Sequence, residues 1–241
     1  MLADNTPLVG SGRLDREIHL RSEAKLALMD FIAAELPRWR DHPERPHRDS
    51  ETGLTEHLAD HLNSATTYSV DWSHVQFRCE TSDEAKPGRK IDLTIKPKAA
   101  VIFIDGRRHS QFDALFPIEA KRLPTPVEKD RDEREYVITE PGTTGGIQRF
   151  KFGHHGSKHD FAAMIGYVQD GSFEGWFDQI NGWVQELASR SHSQWTDGDK
   201  LEITASNSLE RVCSLKSVHS RPGFNSCHLH HLWVQMSAAP H

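Results

Sequence analysis

The segment FPIEAKRL, residues 116–123, sets a carboxylate and an ammonium two positions apart. Read as a strand, its alternation puts Phe116, Ile118 and Ala120 on one face and Glu119 with Lys121 on the other. The segment RKIDLTI treats Asp92 in the same way: Ile91, Leu93 and Ile95 fall on one side and Asp92 on the opposite one, 27 positions before Glu119. If the two strands are neighbours, Asp92 and Glu119 converge. Two ionised carboxylates at close range repel unless a cation lies between them, and a hard cation such as Mg²⁺ or Mn²⁺ accepts this oxygen set with waters completing its shell. A lysine beside them can orient a metal-activated water, so the ensemble suits in-line attack on a phosphodiester. Hydrolysis of a nucleic-acid backbone is the matching reaction.

Asp92, followed after a hairpin-length gap by Glu119-Ala120-Lys121, resembles the (D/E)xK core of the PD-(D/E)xK, or restriction-endonuclease-like, nuclease superfamily. The order of elements from about residue 22 to 190 resembles that family as well. The resemblance implies that Asp92 and Glu119 bind metal, that the Ala120 carbonyl completes the shell, and that Lys121 orients the attacking water. The family commonly carries an acid on the helix before the sheet, and SETGLTEHLADHL offers Glu51 and Glu56. At 100° per residue, Leu54, Leu58 and Leu62 lie within about 60° of Glu51, whereas Glu56 lies about 140° away, so Glu51 is the acid expected at the site. The family's polar residue on the following helix corresponds to Gln148 of GGIQRF, with Arg149 beside it as a substrate contact. Ile91 stands where the family has proline, a departure that leaves the Asp92 side chain in place. A wider resemblance, to nuclease-like proteins of bacterial phage-defence or restriction modules, runs through GGIQRF, MIGYV and the later SVHSR and HLHHLW.

The elements that must position these residues are legible from periodicity. Ser22 and the apolar spacing after it predict a helix that stops near Pro37, and Ser50 predicts the cap of a second over about 51–64. Strand character follows at 75–79, 91–95, 101–104 and 116–121, read as one sheet, then a polar insert over 124–142 and a short helix at about 144–152. Residues 162–168, AMIGYV with its leading alanine, predict a buried strand, and 173–189 an amphipathic helix with apolar residues three and four apart. Runs at 212–218 and 229–236 around Arg221-Pro222-Gly223 predict a closing hairpin. The expected architecture is α/β: an arm over 1–21, a restriction-endonuclease-like core of helix, mixed β-sheet, helix and strand over 22–190, and a C-terminal β-hairpin extension packed on the core over 191–241.

Composition narrows the classes. The chain has 241 residues, 36% of them hydrophobic, with 16 glycines, which excludes disordered and fibrous proteins. The longest apolar run, Ala99 to Ile104, is too short to span a membrane, and the N-terminus lacks a signal-peptide pattern, so a soluble, cytoplasmic protein is expected. Three widely spaced cysteines suggest neither a disulfide framework nor a cysteine zinc site. A net charge of −6 means that any nucleic-acid contact is local, and KPGRK, Arg107-Arg108 and Arg149-Phe150-Lys151 supply local positive charge. The 16 histidines form no tetrahedral framework, and His219 with Arg221 are the ones expected to touch substrate. DNA is the expected partner, with RNA, a defence-system protein and a homodimer left open. The rival class is a catalytically silent nuclease-fold module that binds nucleic acid or a partner.

Overall fold

The structure is a computed structural model and describes residues 17–86, 88–126 and 131–237. Most of the expected arm, Pro87 of the KPGRK stretch, positions 127–130 of the polar insert and the last four residues of the expected extension lie outside the described residues. Helix α1 spans Ala24–Arg40 and α2 spans Glu51–Tyr68. Ser50 caps α2 as expected, its hydroxyl accepting the Gly53 N–H at 3.2 Å. The expected stop of α1 at Pro37 is overruled. Proline removes one helical N–H, but its neighbours Leu36 and Trp39 are both buried, and Arg40 donates to the Glu210 carbonyl at 2.8 Å, so packing of the last turn outweighs the lost bond.

Ten strands are described: β1 (Glu17–Leu20), β2 (Val75–Ser82), β3 (Lys90–Pro97), β4 (Val101–Ile104), β5 (Arg107–His109), β6 (Phe116–Leu123), β7 (Phe161–Val168), β8 (Glu202–Asn207), β9 (Val212–Arg221) and β10 (Phe224–Gln235). Seven of them form one mixed sheet in the order β2-β3-β6-β7-β10-β9-β8. The central pairs β6–β7 and β7–β10 are parallel, and β7, FAAMIGYV, is buried along its whole length, as a strand covered on both faces must be. Residues 101–104 do not join this sheet. They lie in a separate three-stranded sheet, β1-β4-β5, which the apolar pattern of VIFI could not distinguish from membership of the larger one. The C-terminal hairpin is likewise more than a cover. Hydrogen-bonded to β7, it carries the main sheet outward, and the unanticipated β8, exposed throughout, forms its edge.

Alternation divides the sheet into two faces. Ile118, Ala120, Ala163, Ile165 and Leu232 pack with α1 and α2, whereas Leu123, Met164, Leu229 and Trp233 pack with α3 (Gly146–Lys151) and α4 (Phe173–Ser189). The result is a mixed α/β architecture of helix, sheet and helix layers. Gly166 permits a close approach within it: a Cβ there would stand 2.5 Å from the Trp233 ring. Among the described residues, no helix is long and apolar enough to cross a membrane.

Candidate active site

Strands β3 and β6 are antiparallel neighbours, paired Leu93 to Ile118 at the end of their ladder. Continuing that register by one step brings Asp92 opposite Glu119, both facing the α3 layer. The ladder stops there because the Asp92 side chain takes over: its Oδ2 accepts the Ala120 N–H at 2.9 Å. Glu51, the first residue of α2, reaches the same point from the other layer. Lys121 lies among all three acids, its Nζ 3.0 Å from Glu51 Oε1, 3.2 Å from Glu119 Oε1 and 4.0 Å from Asp92 Oδ2. It also donates to the Ala120 carbonyl at 2.9 Å. Glu119 is wholly buried and Lys121 nearly so, whereas Glu51 and Asp92 each keep about a fifth of their side-chain surface in contact with solvent. The cluster opens on the side of these two acids.

Glu119 has two further partners. The Arg149 guanidinium from α3 pairs with Oε1, and His155 Nδ1 lies 3.2 Å from Oε2. His155 is carried by a tight loop in which Gly153 and Gly156 take positive φ angles of 63° and 58°, a conformation that glycine adopts without strain. Asp83 Oδ2 accepts the Gly156 N–H at 2.9 Å, and Arg89 donates to the His154 carbonyl at 3.0 Å, so the loop is pinned from β2 and β3's entry. Sequence reasoning missed His155 as a member of the site. The available signal was the histidine pair between two glycines in FKFGHHG, which marks a turn whose side chains have a set direction.

The charges differ sharply in their surroundings. Burial and the neighbouring Glu119 push the Asp92 carboxyl up to about 7, against the pull of Lys121 and the Ala120 N–H. Burial would raise Glu119 as well, but Lys121, His155 and Arg149 together bring it down to about 2. Lys121, although burial disfavours its charge, is held above its ordinary range by Glu119, Glu51 and Asp92. Paired carboxyls driven apart in this way can divide proton-holding and charge-holding roles.

Three expected site residues lie elsewhere or act otherwise. Gln148 does not face the cluster: its Oε1 accepts the N–H groups of Gly145 and Thr139 at 3.1 and 3.2 Å, and its Nε2 points to the Gly142 carbonyl, so the amide closes the loop before α3. Arg221 is buried and spends its guanidinium on the carbonyls of Asn225 and Gly156. His219 is sealed from solvent within a hydrogen-bonded chain and cannot touch substrate. That chain has one direction. Trp233 Nε1 can only donate, and it gives its proton to Tyr136 Oη at 2.8 Å; Tyr136 donates to His231 Nδ1 at 2.9 Å. His231 Nε2 then donates to Ser217 Oγ at 2.9 Å, Ser217 to His219 Nε2 at 2.8 Å, and His219 Nδ1 to Asp199 at 2.7 Å. Lys151 closes the far end on both Asp199 oxygens. Burial lowers the basicity of both histidines, in keeping with the neutral tautomers this order requires.

Among the described residues, no group of three or more His, Cys, Asp or Glu side chains is arranged to hold a metal ion. Lys121 and Arg149 stand on the carboxylate oxygens that a cation would take. The donor chemistry nevertheless fits a hard divalent ion. Glu51 Oε2 is buried without a hydrogen-bond partner, and Asp92 is short of positive charge, so two of the three acids are incompletely compensated by the protein. Comparison with protein-family models, with curated proteins and with solved structures gives no match for this chain.

Proposed function

We propose that this protein is a Mg²⁺- or Mn²⁺-dependent phosphodiester hydrolase acting on DNA, a nuclease of PD-(D/E)xK type. The observation that carries the reading is the meeting of Glu51, Asp92, Glu119 and Lys121, from three separate elements, at one solvent-reaching point. Asp92, Glu119 and Glu51, with the Ala120 carbonyl, would hold the ion. When bound, it supplies a polarised water and neutralises charge at the phosphoryl group. The chain's own contribution is positional. Lys121 would orient the water through an N–H; Arg149 and His155 hold Glu119 in its ionised form; Arg149, partly exposed, is a cation open to an incoming phosphate. Function in phage defence or restriction follows from the same resemblance, and a cytoplasmic setting from the sequence composition.

A plasmid-cleavage assay with the purified chain tests this directly. Nicking or linearisation is expected with Mg²⁺ or Mn²⁺ and none with EDTA; absence of cleavage under both conditions, with either DNA or RNA, would overturn the reading. The rival, a silent binding module, is favoured by one observation: Lys121 and Arg149 already neutralise Glu119. Retained DNA binding without cleavage selects it.

The helix acids give a second test. Glu51 touches Lys121, whereas Glu56 lies exposed on the other side of α2. Glu51→Gln is expected to slow cleavage about tenfold or more, the effect of losing about 1.4 kcal/mol at the transition state, and Glu56→Gln to leave it unchanged. Equal rates for both variants in matched time courses would remove Glu51 from the site.

A further inference from the structure

Both oxygens of Glu119 are engaged. Oε2 meets His155, and Oε1, the oxygen turned toward Lys121 and so toward Glu51 and Asp92, is shared by Lys121 and the Arg149 guanidinium. Two cations on one oxygen occupy its lone pairs and repel a third. One of them has to leave before the ion that the hydrolase reading calls for can reach Oε1.

The three partners of Glu119 differ in how free they are to go. Lys121 is almost wholly buried and also faces Glu51, Asp92 and the Ala120 carbonyl, so its departure would strip three acids at once. His155 is as deeply buried, on a loop turned by Gly153 and Gly156 and held by Asp83. Arg149 has an exit: about a fifth of its side chain is exposed, and among the described residues Glu119 is the one acid with which it forms an ion pair. Its surroundings are positive as well. Arg89 donates to the His154 carbonyl, and burial together with the charges of Arg89, Lys86, His155 and Arg149 lowers the basicity of His154. An anion arriving here meets several cations, and the planar fork of a guanidinium takes two oxygens of a phosphodiester at once.

We propose that Arg149 is a two-position latch, on Glu119 Oε1 in the free protein and on a substrate phosphodiester in the complex, and that its transfer opens Oε1 to the metal ion. The proposal rests on the hydrolase reading and adds an order to it: substrate phosphate first, tight metal binding second. Charge gives the same order. With Glu51, Asp92 and Glu119 ionised against Lys121 and Arg149, the cluster carries a net charge of minus one; with Arg149 on the phosphate it carries minus two, which one divalent ion balances. A coupling between two bound groups is reciprocal, so the metal strengthens phosphodiester binding by the same factor.

The test uses the full chain and dimethyl phosphate, a phosphodiester slow to hydrolyse, at constant ionic strength, and it reads no cleavage. In calorimetric titrations of wild type, Mn²⁺ is expected to bind about tenfold more tightly at saturating dimethyl phosphate than without it, within the range usual for coupled sites. Arg149→Gln is expected to bind Mn²⁺ about tenfold more tightly than wild type with no probe present, and to gain at most about twofold from the probe. A purely electrostatic pull of the probe on the metal would instead survive in the variant at its wild-type strength. In EDTA, the Arg149 Nε–H signal, assigned by its loss in Arg149→Gln, should move saturably with dimethyl phosphate. Equal Mn²⁺ affinity of wild type with and without the probe, coupling retained in Arg149→Gln, or an unmoved Arg149 signal overturns the latch and leaves the hydrolase reading standing. No Mn²⁺ binding to either protein under any of these conditions overturns both. If Arg149→Gln does not fold, Arg149→Lys, which keeps the charge and loses the fork, takes its place, with the same loss of coupling expected.

Discussion

Glu119→Gln is expected to destabilise the fold by about 3–5 kcal/mol, the cost of removing one partner from a buried ionic cluster. Loss of cleavage with the fold undisturbed would be the simple outcome if Glu119 were only a metal ligand on a sheet edge. Instead β6 is an interior strand, and Glu119 is the one wholly buried counter-ion shared by Lys121, Arg149 and His155. Glutamine keeps the shape and removes the charge, leaving Lys121 to Glu51 and Asp92 and leaving Arg149 without its acid. The pH dependence has a definite sign. A carboxyl held at about 2 against an ordinary 4.5 adds stability that is present above the ordinary value and is lost as pH falls from there toward 2. Urea unfolding of wild type and variant at neutral pH should therefore show the full difference, narrowing below pH 4.5. A difference under about 1 kcal/mol at neutral pH would mean that solvent, rather than Glu119, compensates these cations.

Asp92→Asn should act in the opposite direction on stability while abolishing cleavage, by about three decades on the hydrolase reading. The folded chain holds the Asp92 proton up to about pH 7, whereas the unfolded chain releases it near 3.8. Across that window the native state loses relative stability, and above it carries the whole cost of a buried, under-compensated charge. The ceiling is about 4 kcal/mol, from 1.36 kcal/mol for each tenfold change in acidity. Asparagine carries no charge and can still accept the Ala120 N–H. Thermal melts in EDTA should place the variant above wild type at pH 8 and level with it near pH 4; a variant that melts lower at both would show that the Asp92 charge is compensated. Saturating Mg²⁺ should close the gap at pH 8 by stabilising wild type alone.

These two residues also show what the sequence could reveal. Strand alternation placed Asp92, Glu119 and Lys121 on one face, and helical phase chose Glu51 over Glu56, because both depend only on local geometry. The same holds for α4, whose apolar residues three and four apart mark Phe173–Ser189 from end to end. Local pattern does not say which strand lies beside which. VIFI has a strand's composition and pairs in the smaller sheet, and EITASN, with no buried residue, carries no apolar alternation to announce an edge strand. Gln148 and His219 fail for another reason. A polar side chain of fixed position can meet either substrate or its own backbone, and only the loop before α3 and the Asp199 turn, brought in by tertiary packing, decide the outcome.

The one-way chain from Trp233 to Asp199 has a consequence for how the C-terminal strands find their alignment. Its members come from β10, β9, the segment before α3 and the turn at Asp197–Asp199, and every proton in it is already assigned. A slip of β10 by one residue would turn His231 and Trp233 to the opposite face, where α1 and α2 offer an apolar surface. Tyr136 would then lose both of its partners and Ser217 the His231 N–H that it accepts, in a dry layer, at the cost of buried unsatisfied groups. Apolar residues alone tolerate such slips, since one aliphatic contact resembles another. The polar chain does not: it works as a key with a single setting, and it selects one alignment of the hairpin from among those that hydrophobic burial would accept.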